Sequence, residues 1–208
     1  MLRNRWIKVV LFVACLVPVC LLAWRFWKED LTANPLEYIT HFTGDWTIRL
    51  IVATLAVTPL RKLLHLPDLI RFRRMIGLFA FFYGTLHFLT WLWLDKLFDF
   101  KEMLHDVAKR PFITAGFAAL LAMLPLAVTS TTGWIRRLGG KRWQKLHKLV
   151  YFTAIAGVVH YYWLVKSDIR LPVLYGVLVG VLLLYRIGAS LVSRSAKAVR
   201  KRPAPVAT

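Results

Sequence analysis

The sequence predicts an all-α membrane protein, a bundle of six transmembrane helices with both termini in the cytoplasm. Three observations carry that prediction: a composition too apolar for a wet surface, six apolar runs near the length of a bilayer crossing, and alternation of basic and acidic connections between them. Of the 208 residues, 58% are hydrophobic, and the mean hydropathy is +0.56. Ordinary soluble domains carry more polar surface than that, so the lipid bilayer is the expected solvent. A hydrocarbon core ~30 Å thick needs ~20 mostly apolar residues per crossing, and this length accommodates about six crossings joined by short loops.

The first run, Ile7 to Trp24, starts among Arg3, Arg5 and Lys8. It is longer than a secretory signal core and is followed by Arg25-Phe26-Trp27-Lys28 rather than a small-residue cleavage site, so a retained helix is expected. Cys15 and Cys20 lie inside it without metal-ligand spacing and read as small buried hydrophobes. The second run, Trp46 to Leu60, contains Arg49 and Pro59, so its helix is expected to extend into the flanking residues. Met75 to Leu94, Phe112 to Thr129, Leu149 to Val165 and Leu171 to Gly188 complete the six. Residues 1–188 thus form one membrane domain, and residues 189–208, basic and ending near Pro203-Ala204-Pro205, form a tail expected to be disordered. The sequence shows no internal repeat and no nucleotide-binding glycine fingerprint.

The net charge of +19 does not point to nucleic acid, because the cations sit in short clusters between apolar runs rather than along one helix face. Arg61, Lys62, Arg71, Arg73 and Arg74 follow the second run; Arg136, Arg137, Lys141, Arg142 and Lys145 follow the fourth; Arg194, Lys197, Arg200, Lys201 and Arg202 follow the sixth. Glu29, Asp30, Glu37 and Asp45, then Asp95, Asp99, Glu102 and Asp106, occupy the intervening connections. By the positive-inside rule the basic connections are cytoplasmic and the acidic ones face outward. Trp91, Trp93, Tyr161, Tyr162 and Trp163 gather near run ends, where amphipathic rings favour the interface.

His41, His65 and His105 fall in connecting segments and are expected to be solvated or structural. His87 and His160 differ, because each lies deep in an apolar run, where an ionisable group is costly and by default marks a function. His87 is twelve residues in from Met75, roughly 18 Å along a helix. His160 is twelve or thirteen residues in from the start of its run, roughly 18 to 20 Å. Two level imidazoles on parallel helices among Phe and Leu suit a haem held between them, each neutral ring offering a nitrogen to one axial position of the iron.

His147, among Arg142, Lys145 and Lys148, stands where a second haem nearer the cytoplasm would be ligated; an interfacial histidine is the equal alternative. Thirteen residues separate it from His160, roughly 140° of azimuth on a straight helix, so the two do not stack. Fourteen residues before His87 stands Arg73, and Arg73 with Arg74 suits haem propionates or a flavin phosphate. Gly77, Gly84, Gly116, Gly157, Gly176 and Gly180 lie within runs and are expected to serve close helix packing.

The segments Arg73-Arg74-Met75-Ile76-Gly77-Leu78, Tyr83-Gly84-Thr85-Leu86-His87, Thr129-Ser130-Thr131 and Trp143-Gln144-Lys145-Leu146-His147-Lys148-Leu149-Val150-Tyr151 resemble the ferric reductase-like transmembrane superfamily, and within it the MsrQ (YedZ) family. The resemblance spans nearly the whole chain. It implies a six-helix bundle of the bacterial inner membrane, with His87, His147 and His160 at the family's haem-ligand positions. It further implies a b-type haem electron-transfer subunit, with one or two haems and with FMN described in some members. Electrons are drawn from the quinone pool or a cytoplasmic flavin reductase and passed to MsrP, a periplasmic molybdenum-cofactor enzyme that reduces methionine sulfoxide in oxidised envelope proteins. The sulfoxide-reducing site then belongs to the partner, and this chain has no catalytic residue of its own. Two alternatives are a stand-alone transmembrane ferric reductase, which calls for an exposed metal-chelate site on the outer face, and a transporter or scaffold, which calls for acids inside the apolar runs. No Asp or Glu lies in the interior of a run as bounded above.

Overall fold

The computed structural model describes residues 5–200. Among them the chain forms helices α1 (Arg5–Trp27), α2 (Pro35–Leu63), α3 (Ile70–Leu89), α4 (Phe100–Lys109), α5 (Pro111–Val128), α6 (Thr132–Leu146), α7 (Leu149–Leu164) and α8 (Arg170–Arg200). A 3-10 turn at Pro67–Leu69 leads into α3, and a π-helical turn at Thr90–Asp95 prolongs it. Each of the six apolar runs falls on a helix. Four stretches are long and apolar enough to cross a membrane: Arg5–Trp27, Pro67–Asp95, Pro111–Val128 and Arg170–Ser193. α7 is equally apolar but shorter, at 16 residues. α2 has 29 residues and carries more charge.

Several boundaries differ from the expectation for local reasons. α2 begins at Pro35, because Asn34 caps it by accepting from the Glu37 N–H and proline suits the first helical position. Asp45 and His41 therefore lie inside a helix, correcting both the reading of His41 as a loop residue and that of a bundle without interior acids. Asp45 pairs with Arg49 one turn later at 3.4 Å, and Arg49 also donates to the Tyr175 hydroxyl. That local pairing accounts for an arginine in an apolar run. His105 likewise lies in a helix, α4, which Asp99 caps. α8 continues to Arg200, so residues 189–200 are helical rather than a disordered tail, while residues 201–208 lie outside the described residues. The short helix α4 and the helical segment α6, which is broken at Gly139 (φ 71°), lie in the connections and are not apolar runs.

Two antiparallel pairs, α2 with α3 and α5 with α7, make the centre; α8 packs on α2 and α7, and α1 on α3. Small residues set the register of the first pair, with Gly77 facing Thr54 and Gly84 facing Thr47. Tyr83, Leu55, Ala80 and Ala154 are almost wholly enclosed at its core. Val10, Val181 and Leu184 are more than half exposed on the outside, so both inner and outer surfaces are apolar, as hydrocarbon solvent requires. Buried hydroxyls fold back onto their own helices: Thr43, Thr47, Thr54 and Thr85 each donate to the carbonyl one turn earlier. At the acidic end, Lys96 binds Asp106 at 2.8 Å and Glu102 at 2.6 Å, and Arg110 binds Asp106 at 3.1 Å, which fastens α4 over the bundle.

α1 contains Pro18, which supplies no N–H to the helix ladder. Beside it the Tyr83 hydroxyl donates to the Cys15 carbonyl at 2.8 Å and accepts from the Val19 N–H at 3.1 Å. We predict that Tyr83→Phe destabilises the bundle by about 1–3 kcal/mol, the range for leaving buried polar groups unsatisfied. The check is the thermal midpoint in detergent. An unchanged midpoint would mean that α1 satisfies the Cys15 and Val19 backbone groups without the hydroxyl.

Candidate functional site

His87 stands near the end of α3 and His160 near the end of α7, and the bundle brings their ring centres to 5.9 Å with an interplanar angle of 78°. They line one open-sided cavity of about 300 Å³ between α2, α3, α5 and α7. Ile48, Phe88, Phe117, Leu120 and Met123 make most of its wall apolar, and His41, Asp45, Asp95 and Arg110 supply its few charged or titratable groups.

Both imidazoles are held in the same way. His87 Nδ1 lies 3.0 Å from the Thr40 carbonyl of α2, and His160 Nδ1 lies 2.7 Å from the Phe112 carbonyl of α5. A carbonyl only accepts, so each Nδ1 carries the proton and donates, and each Nε2 keeps its lone pair. This is the arrangement of metal-binding histidines, whose second nitrogen is fixed by a backbone or carboxylate acceptor. Each carbonyl lies one helical turn before a glycine, Gly44 or Gly116, and that glycine lies against the ring it serves.

A second, larger cavity of about 920 Å³ opens toward the basic end, and Ile51 and Met123 line both cavities. Arg61, Arg71, Arg73, Arg74, Lys148 and Arg186 line it together with His147, Trp143 and Tyr151. Arg186 of α8 reaches inward to donate to the Leu55 carbonyl at 2.7 Å and to the Tyr151 hydroxyl at 3.2 Å, while its Nε is buried without an acceptor. Among the described residues, Arg73, Arg74 and Arg186 form no ion pair, so this cavity has an uncompensated positive lining that suits an anion.

His147 caps the end of α6, stacked on Trp143 at 3.9 Å. Thr129 Oγ1 donates its single proton to the Pro125 carbonyl at 2.6 Å, so at 3.1 Å it accepts from His147 Nε2. Nδ1 is then the unprotonated nitrogen. Burial, and after it the guanidiniums of Arg73 and Arg74, push the imidazole pKa down to about 4.

The structure therefore brings His87 and His160 together and gathers His147, Arg73 and Arg74 around a neighbouring cavity. It gives Gly116 a specific place against His160 rather than general packing, and it adds Gly44, Thr40 and Phe112, which sequence reading did not single out. A signal for the glycines was present: Gly44 precedes His87 by 43 residues and Gly116 precedes His160 by 44.

His147 has a testable titration. Because its folded pKa lies below the unfolded value of about 6.5, the folded protein takes up this proton only near pH 4. The unfolded chain takes it up first, so stability falls as pH drops from about 6.5 toward 4. Ring-carbon chemical shifts of histidine-labelled protein, with His147→Gln for assignment, check the expected midpoint; a value near 6.5 would overturn it.

Comparison with known proteins agrees with this architecture. The family model described as ferric reductase like transmembrane component matches residues 43–158, which hold α2 from Thr43 through most of α7. A protein of Herminiimonas arsenicoxydans named protein-methionine-sulfoxide reductase heme-binding subunit MsrQ is 55% identical over 183 residues, covering 87% of this chain and 84% of that relative. The protein of the same name from Ralstonia nicotianae is 49% identical, covering 88% and 85%. That from Xanthomonas axonopodis pv. citri is 46% identical, covering 95% and 93%. No solved structure gives a significant match. With an apolar helical bundle, two facing histidines and relatives of this similarity along most of its length, the chain belongs to the ferric reductase-like transmembrane family and, within it, to the MsrQ proteins.

Proposed function

We propose that the chain is a b-type haem electron-transfer subunit of the bacterial inner membrane, with six crossings and cytoplasmic termini, that carries electrons outward to a periplasmic MsrP-like molybdoenzyme reducing methionine sulfoxide in envelope proteins. The observation that carries this reading is the His87–His160 pair, with rings 5.9 Å apart and both Nδ1 atoms committed to backbone carbonyls. Two imidazoles on opposite sides of one iron, each with nitrogen at about 2 Å, have ring centres about 6 Å apart. The residues present therefore fit a haem. The printed names of the relatives, heme-binding subunits, support the same reading.

A bound haem, held by His87 and His160, would supply one-electron redox chemistry suited to electron transfer. The protein's own contribution is to orient and insulate. The carbonyls of Thr40 and Phe112 select the tautomer that leaves Nε2 free, and Phe88, Phe117 and Leu120 exclude water from the pair. Near the basic end, His147 with Arg73 and Arg74 serves an inner cofactor, either a second haem whose propionates meet the guanidiniums or FMN through its phosphate. The two cavities adjoin at Ile51 and Met123, which supports a relay from a cytoplasmic-side donor, the quinone pool or a flavin reductase, toward the acidic face. The sulfoxide chemistry is assigned to the partner.

The test is haem content by pyridine haemochrome with a reduced-minus-oxidised spectrum. His87→Ala and His160→Ala are each expected to lose the low-spin haem of this pair, and His147→Ala to lose at most the inner one. Purified protein without haem would overturn the reading, and full low-spin haem in His87→Ala and His160→Ala would overturn the ligand assignment.

A further inference from the structure

The two halves of the histidine site are built alike, on helices with no repeated sequence. In each, a carbonyl on the first helix of an antiparallel pair receives Nδ1–H from a histidine on the second, and the residue one turn beyond that carbonyl is glycine. A Cβ at Gly116 would stand 2.7 Å from His160 Nδ1 and 2.9 Å from its Cε1. A Cβ at Gly44 would stand 3.2 Å from both Nδ1 and Cε1 of His87. The first distance is below any real carbon contact, so the ring must leave its carbonyl; the second asks it to give by a few tenths of an ångström. Alanine is otherwise the better helix former, so helix propensity alone favours substitution at both places.

We infer that Gly44 and Gly116 are positioning residues that let the imidazoles of His87 and His160 lie flat on the neighbouring helix, reach the carbonyls of Thr40 and Phe112, and thereby set the electronic character of the iron ligands. This rests on the reading of the two histidines as haem ligands. A histidine whose Nδ1–H is held by a carbonyl is a more basic ligand and favours ferric over ferrous iron. Taking the carbonyl away raises the reduction potential without removing the ligand.

The other glycines make the contrast. An added Cβ at Gly84 would meet Thr47, Leu120 and Met123 at 3.4 to 3.9 Å, one at Gly157 Ile48 at 3.6 Å and one at Gly176 Val158 at 3.5 Å, all ordinary contacts and none with a histidine. Gly176 lies in α8, and an added Cβ there would make only an ordinary contact with Val158 of α7 and none with either histidine, so it serves as the control substitution.

The experiment is a redox titration and ferric electron paramagnetic resonance of the haem-loaded full chain as wild type, Gly116→Ala, Gly44→Ala and Gly176→Ala, beside His160→Ala. Gly116→Ala is expected to keep low-spin haem, move its ferric g values, and raise the ratio of reduced to oxidised haem severalfold at the wild-type midpoint. Gly44→Ala is expected to move both in the same direction but less, and Gly176→Ala to leave both unchanged. If Gly116→Ala fails to assemble, Gly44→Ala decides. Wild-type g values and potential in the assembled glycine variants, or an equal shift in Gly176→Ala, would overturn the proposal while the loss of low-spin haem in His160→Ala leaves the ligand reading standing. Retention of that haem in His160→Ala would instead remove the ligand reading, and this proposal with it.

Discussion

Hydrocarbon offers no hydrogen bonds, so polar groups inside this bundle must look for partners within the protein, and few among the described residues, such as Arg186 Nε and the Thr153 hydroxyl, are left without one. The rest of the structure follows from that constraint. Threonine hydroxyls turn back to the preceding helical turn, Arg49 takes Asp45 from its own helix, and Arg186 spans two helices to reach the Leu55 carbonyl and the Tyr151 hydroxyl. His87 and His160 obey the same rule: each donates its one N–H to a backbone carbonyl. What remains exposed to the cavity is the lone pair, which a metal accepts and which hydrocarbon tolerates better than an N–H without an acceptor.

The same constraint separates two chemical environments only one side chain apart. The cavity between the histidines is small and mostly apolar, whereas the cavity beyond Ile51 and Met123 is large and lined by guanidiniums with no carboxylate to balance them. A low-dielectric chamber beside an electropositive one favours a neutral ligand set in the first and a negatively charged group in the second. The charge asymmetry of the connections, basic at one end and acidic at the other, runs in the same direction as this pair of cavities.

Much of this was legible before any coordinates. Apolar runs locate helices, because crossing length is fixed by the bilayer, and counting from their ends places His87 and His160 at one level. The start of α2 was not legible, since Glu37, His41 and Asp45 interrupt the apolar pattern while Asn34 and Pro35 still nucleate the helix. α4 and α6 are short and polar enough to read as loops. The roles of Gly44 and Gly116 depend on the register between helices, which no local pattern states, and the partner of His147, Thr129, belongs to a preceding helix end. Sequence reading found the residues whose chemistry is unusual for their depth. It missed those whose only distinction is what they leave empty.

The hydroxyl of Tyr83 beside Pro18 bears on how the protein is made. α1 leaves the ribosome before α3, and the group that satisfies its proline turn arrives 64 residues after Val19, on α3. Until then the carbonyl of Cys15 and the amide of Val19 have only their own helix to bond with, in a turn that Pro18 has already weakened. Completion of α1 is accordingly non-local: its proline turn is finished by a later helix. The final geometry of α1 is thus tied to the docking of α3 through a single phenol.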